Sequence, residues 1–148
     1  HNITSIKKYL ERPEIKNLRC KVARNLLIGA VMNLIDNSIY WLDQKAFKKM
    51  ESQESYSKKI FVDVVTDEHF AHIIVADNGT GILLPTDDIT EPFITGKKNG
   101  AGMGLGLHIA SEILAAQGGK ISFPDRGDFD IPSEFEEGAK VVLSLRIK

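Results

Sequence analysis

One cysteine in 148 residues, Cys20, leaves nothing to pair with inside the chain. A disulfide framework and any multi-cysteine zinc site are excluded, and a lone thiol suits a reducing, cytoplasmic compartment. Aromatics are scarce at 7%, yet 43% of residues are hydrophobic, enough for one packed core and too many for a disordered chain. No apolar run approaches the ~20 residues of a membrane-spanning helix, so this domain is expected to make no direct membrane contact. Any membrane anchorage would belong to a parent protein. The formal net charge of −1 supplies no global field for nucleic acid or an anionic bilayer, and no nucleic-acid partner is expected. An anionic ligand must be gripped by local geometry. No internal repeat is evident, and neither a Walker A loop nor a Rossmann glycine fingerprint occurs. The chain opens at His1 without a methionine or a signal-type core, and we read it as a piece of a longer polypeptide.

What is present falls into two parts. Residues 1–19 are a basic segment, expected to be the run-in from an upstream region, and residues 20–148 form one domain. Lys7, Lys8, Arg12, Lys16, Arg19, Lys21 and Arg24 outnumber Glu11 and Glu14 at this end, with Pro13 dividing a short helical piece from the approach to a long helix. From about Leu18 to Met50 the apolar spacing predicts that helix. Residues 59–76 read as a hairpin turning at Asp67-Glu68. Between Asp77 and Gly106 periodicity gives way to Gly, Pro, Asp and Thr, a length of loop that a compact domain keeps for function or leaves disordered. Leu107–Gln117 predicts a helix stopped by Gly118-Gly119, and 120–123 with 139–147 an antiparallel pair. The acidic stretch between them, 124–138, reads as solvated surface and nothing more.

Three features carry chemistry. Asn33 and Asn37 lie four apart on the long helix and so project the same way. Taken alone, such amides suit a core hydrogen bond or a cap as well as a ligand. Asp77-Asn78-Gly79-Thr80-Gly81-Ile82 comes directly after an apolar strand. A carboxylate held dry at a strand end accepts a hydrogen bond from the adenine amino group and repels the guanine carbonyl. Gly79 and Gly81 would let the backbone pass close to the base; a plain Asp-Asn-Gly turn is the alternative. Gly102-Met103-Gly104-Leu105-Gly106-Leu107 opens the next helix, where exposed amides and the helix dipole favour an anion. A hinge would look the same.

In order, these features resemble the N box and the two glycine boxes of the GHKL ATP-binding fold, shared by histidine protein kinases, DNA gyrase, mismatch-repair MutL proteins and the large ATP-dependent chaperones. The resemblance covers roughly residues 20–148. Glu91-Pro92-Phe93-Ile94-Thr95-Gly96-Lys97 further resembles the ATP-lid signature of histidine kinases. The implied fold is an α/β (α+β) two-layer sandwich: a mixed, largely antiparallel sheet, about three helices on one face, and a long ATP lid.

The resemblance also implies roles. Asn37 would coordinate Mg²⁺ between the ATP phosphates, Asp77 would read adenine, and Gly79, Gly81 and Ile82 would line its pocket. The amides of Gly102, Met103, Gly104, Leu105, Gly106 and Leu107 would cradle the phosphates. Phe93 would anchor the lid, and Thr95 and Lys97 would approach the phosphates, Lys97 joining Asn33 and Asn37 as catalytic. Relatives that hydrolyse ATP carry a glutamate base four residues before the magnesium asparagine. Asn33 takes that place here, and an amide accepts no proton near neutral pH. Asp36 lies away around the helix. Transfer of the γ-phosphoryl group of ATP to a histidine outside the chain is therefore expected, leaving ADP and serving a response regulator indirectly; an ATP-gated switch without phosphotransfer is the alternative. Two positions depart from the pattern. Tyr40 stands where a basic residue is usual, with Trp41 as the expected aromatic beside the nucleotide, and Gly138-Ala139 replaces Gly-Thr at the adenine site. His1, His69, His72 and His108 lack the acidic neighbour of a phosphoacceptor motif and read as structural.

Overall fold

The computed structural model describes residues 2–4, 12–82 and 106–148. Among these residues five strands form one sheet: β1 (Asn2–Thr4), β2 (Lys59–Thr66), β3 (Phe70–Asp77), β4 (Lys120–Ser122) and β5 (Lys140–Arg146), in the order β1-β2-β3-β5-β4. Only β1 runs parallel to its neighbour β2; the other pairings are antiparallel. The α-helices among the described residues are α1 (Pro13–Lys16), α2 (Arg24–Glu51) and α3 (Gly106–Ala116). The mixed, largely antiparallel two-layer architecture is the expected one.

Side-chain alternation along the strands separates two faces. On one, Ile60, Val75, Leu143 and Leu145 are buried beneath Ala30, Leu34 and Leu42 of α2 and Ala110 and Leu114 of α3. On the other lie Phe61, Ile74, Ala76 and Val142. An antiparallel sheet with apolar residues on both faces needs cover on both. The stretch 124–138 supplies the second cover, which corrects its reading as solvated surface alone. Its acidic side chains are exposed as expected, but Phe135 is fully buried with its ring 5.6 Å from that of Phe61, and Phe129 and Ile131 pack beside it. Charge density described the rim of this segment and hid its apolar underside.

The long helix also starts later than its apolar spacing predicts. Residues 18–23 stay outside the helix because residues 146–148 pair with them: Cys20 bridges Ile147, Lys21 N–H donates to the Arg146 carbonyl at 2.8 Å, and Lys148 N–H to that of Arg19 at 2.9 Å. Val22 still packs on the core, so spacing alone could not tell it from a helical residue. Strand β1 was not apparent in the sequence. Near that edge of the sheet, the Arg12 guanidinium pairs with Asp63 at 2.6 Å.

The hairpin turns where expected. Asp67 Oδ1 accepts the N–H groups of His69 and Phe70, each at 2.8 Å, while Oδ2 lies 2.7 Å from His72 Nε2. The His72 contact, then those two N–H groups, hold the Asp67 carboxyl down at about 2. His72 Nδ1 reaches Ser144 Oγ at 2.7 Å, so both ring nitrogens are engaged in the framework. Helix α3 closes at Gly118-Gly119, with Gly119 N–H returning to the Leu114 carbonyl at 2.7 Å.

Candidate functional site

Strand β3 delivers Asp77 to the helix-facing side of the sheet, opposite Ile60, and leaves it 1% exposed. A carboxylate this deep must be hydrogen-bonded to remain charged. Its Oδ1 accepts the N–H of Gly79 at 2.9 Å and that of Ala139 at 3.2 Å, and the Ser38 hydroxyl adds a third hydrogen bond. The Asp77 N–H donates to the Ala139 carbonyl at 3.0 Å, so the two residues hold each other. Burial pushes the Asp77 carboxyl above the usual range, opposed by these three hydrogen bonds and by the positive charge of Lys45. The balance leaves a desolvated hydrogen-bond acceptor at the end of the strand.

The turn after it is shaped by close backbone approach. Gly81 adopts φ +83°, and a Cβ there would sit 2.8 Å from the Glu137 carbonyl oxygen. Gly138 leaves still less room, since a Cβ would fall 1.6 Å from the Asp77 carbonyl oxygen. Gly138→Ala must move the Asp77 backbone, and we expect a loss of about 1–3 kcal/mol in chemical denaturation together with weakened nucleotide binding by titration calorimetry. Thr80 Oγ1 is sealed from solvent and has no hydrogen-bond partner among the described residues. Such an atom carries a desolvation cost that a polar ligand in the site can offset.

Helix α2 presents Asn33, Asn37 and Trp41, all half-buried, at successive four-residue intervals, whereas Asp36 is exposed. Trp41 meets the Tyr40 ring edge-on at 5.0 Å. Ser38, the neighbour of Asn37, ties this helix to Asp77. Ala139 reaches the site through its N–H and carbonyl, so the alanine found where the pattern has threonine keeps the backbone contacts. Ile82 is 37% exposed. Gly106 and Leu107 open α3, as expected of the second glycine box. Phe93, Thr95, Lys97, Gly102, Met103, Gly104 and Leu105 lie outside the described residues.

Three contributors were missed in the sequence. Ser38 gave a weak signal as a small polar residue on an apolar helix. Lys45 and Tyr56 gave none, because both act on main-chain atoms of the Asp77 turn: Lys45 Nζ lies 2.9 Å from the Asn78 carbonyl oxygen and Tyr56 Oη 3.1 Å from the same atom. The site fits an adenine nucleotide through its buried carboxylate, the sealed Thr80 hydroxyl and the close-packed turn. Among the described residues no cluster of three or more His, Cys, Asp or Glu stands ready for a metal. A neutral amide such as that of Asn37 suits Mg²⁺ that takes its other oxygens from phosphates and water.

Comparison with known proteins agrees with this geometry. Residues 23–148 match the family model described as histidine kinase-, DNA gyrase B- and HSP90-like ATPase. The C4-dicarboxylate transport sensor protein DctB of Pseudomonas aeruginosa is 30% identical over 117 residues, covering 76% of this chain and 16% of that protein. A sensor protein of Shewanella frigidimarina is 36% identical over 85 residues, covering 57% of this chain and 12% of its own length. The chain therefore spans less than one-fifth of either relative. Among solved structures, the catalytic domain of the histidine kinase ThkA superposes with a TM-score of 0.61 at 23% identity, over 88% of this chain and 73% of that one. The mycobacterial sensor histidine kinase MprB gives 0.57 at 22%, over 84% and 72%. Among the described residues no helix is long and apolar enough to cross a membrane. With a family match over most of its length and the fold of histidine kinase catalytic domains, the chain belongs to the histidine kinase-, DNA gyrase B- and HSP90-like ATPase family.

Proposed function

We propose that this chain is the ATP-binding catalytic domain of a sensor histidine kinase, passing the γ-phosphoryl group of ATP to a histidine on a phosphoacceptor domain outside it. The observation that carries the nucleotide assignment is Asp77, buried at a strand end with Oδ1 gripped by two backbone N–H groups. The choice of kinase over hydrolase is carried by Asn33, an amide where hydrolytic relatives place a base, with Asp36 turned to solvent. The sensor names of the curated relatives support the reading, as does a full-length structure of similar fold, ShkA, determined with AMPPNP.

In this reading Asp77 accepts the adenine amino group and Gly79, Gly81, Ile82 and Ala139 line the base. Asn33, Asn37, Trp41, Thr95, Lys97 and the amides of 102–107 serve the phosphates. The Asn37 amide oxygen would hold Mg²⁺, which when bound supplies charge neutralisation for the triphosphate. Positioning does most of the remaining work in phosphoryl transfer. ADP remains after transfer, a response regulator receives the phosphoryl group from the histidine, and the domain works in the cytoplasm.

The deciding experiment incubates the full-length parent with γ-labelled ATP. Acid-labile, base-stable phosphohistidine is the expected product; its absence under conditions where ATP binds overturns the kinase assignment in favour of an ATP-gated switch. In this chain, Asn37→Ala should remove the Mg²⁺ dependence of ATP binding. Titration calorimetry with and without the ion checks it, and an unchanged dependence rejects Asn37 as the ligand.

A further inference from the structure

Helix α2 continues well past the stripe that faces the nucleotide, and this extension reaches the same turn from another side. Ser38, Leu42 and Lys45 succeed one another at four- and three-residue steps, which puts them on one helical face. Ser38 bonds the Asp77 side chain, and Leu42 is fully buried. Lys45 Nζ donates to the carbonyl oxygens of Asn78 at 2.9 Å and Gly79 at 3.2 Å, and lies 5.1 Å from the centre of the Tyr56 ring.

Tyr56 closes the arrangement. Its Oη lies 3.1 Å from the Asn78 carbonyl oxygen and 3.3 Å from Asn78 Oδ1. Burial first, then the negative charges of Asp77 and Asp43, push the Tyr56 phenol up to about 12, so it stays protonated and donates at neutral pH. Asn78 is pinned in turn: Oδ1 accepts Lys59 N–H at 2.8 Å and Nδ2 donates to the Ser57 carbonyl at 2.8 Å. A lysine ammonium normally seeks water or a carboxylate, and half-burying one against two carbonyls and a ring costs hydration and side-chain entropy. Here that cost fixes the peptide units immediately after the adenine-reading carboxylate.

We propose that Lys45 is a positioning residue for adenine recognition: its ammonium clamps the carbonyls of Asn78 and Gly79 and so holds the Asp77 carboxylate in the orientation the base requires. Lys45 touches no reacting atom. Its positive charge also favours the ionised form of Asp77. The inference rests on the nucleotide assignment of the Asp77 site.

The test titrates ATP with Mg²⁺, and in parallel purine riboside triphosphate, which lacks the exocyclic amino group, into this chain and its Lys45→Met and Lys45→Arg variants. Titrations run from neutral to mildly acidic pH. Lys45→Met should bind ATP about tenfold more weakly, the loss expected for a charge-assisted contact. Purine riboside triphosphate should bind almost unchanged, so that discrimination collapses. The acid limb of ATP binding should move to higher pH, because of the two groups that face Asp77 among the described residues Lys45 supplies a positive charge favouring its ionised form, whereas the Tyr56 phenol stays neutral over this range. Lys45→Arg should restore most of the affinity. A Lys45→Met variant that weakens both nucleotides equally with an unmoved acid limb, or that binds ATP normally, overturns the proposal. If Lys45→Met does not fold, Tyr56→Phe carries the test: a smaller selective loss for ATP supports the clamp and an equal loss for both nucleotides refutes it. A wild-type chain that binds no ATP overturns the nucleotide assignment and this proposal together, whereas wild-type binding with an indifferent Lys45→Met variant overturns this proposal alone.

Discussion

Asp77→Asn should lower ATP affinity about 100-fold while leaving thermal stability unchanged or slightly raised. The affinity loss comes from the acceptor strength of the carboxylate: with Oδ1 held by Gly79 and Ala139, the charged group is a strong acceptor in a dry site. An amide of the same shape halves its acceptor capacity and introduces a donor that meets those two N–H groups or the adenine amino group. The stability expectation runs the other way because burial raises the Asp77 carboxyl in the folded chain. Between the unfolded value and the raised folded one, the folded state binds more protons, so this group's contribution to stability falls as pH rises through that window. Asparagine removes the dependence. ATP binding by the unmodified chain should show the mirror image, weakening as pH falls and Asp77 takes up a proton. Calorimetric titration and thermal denaturation of the two proteins across pH check both effects. Undiminished ATP affinity in the variant would reject Asp77 as the adenine acceptor.

Phe135→Ala should cost about 3–5 kcal/mol in urea denaturation, the usual range for emptying a fully buried phenylalanine site. Phe135 is 0% exposed and plugs the outer face of the sheet over Phe61, Ile74, Ala76 and Val142. The same segment continues into Glu137, whose carbonyl abuts Gly81, and into Ala139, whose N–H holds Asp77. Emptying the Phe135 site should therefore also weaken ATP binding, although the residue sits on the face away from α2. Phe135→Leu, which keeps most of the volume, should cost less than about 1.5 kcal/mol and spare the affinity. Destabilisation under about 1 kcal/mol by Phe135→Ala would show that 124–138 is the solvated surface its acidic residues suggest.

The contrast between these two residues separates what was legible in the chain from what was not. Asp77 stood out because an apolar strand ending in Asp-x-Gly-x-Gly is a local pattern, readable without knowing what packs against it. The same holds for Asn33 and Asn37 on their helix, for the hairpin turning at Asp67, and for α3 with its Gly118-Gly119 stop. Each rests on a period or a turn that spans a few residues. Phe135 was hidden because six acidic neighbours set the character of its segment, and periodicity has no meaning in irregular chain.

The helix start failed for a related reason. Val22 fits a helical stripe, and the pairing of residues 19–21 with 146–148, distant in the chain, keeps that stretch out of the helix. Lys45 and Tyr56 were invisible because a side chain that binds a main-chain carbonyl leaves no complementary residue to notice.

By itself the sequence determined the order of α2, the β2–β3 hairpin, α3 and the β4–β5 pair, and placed an aspartate at the end of an apolar strand and two amides on one side of a helix. Local sterics and side-chain period dictate these, and they act within a turn or two of the chain. The tertiary structure alone decided that Gly138 and Ala139 close on Asp77 from the start of a neighbouring strand, that Phe135 covers the second face, and that Lys45 clamps the turn. Those contacts depend on strand register and on which apolar face meets which, and both are settled only when distant segments compete to bury the same surface.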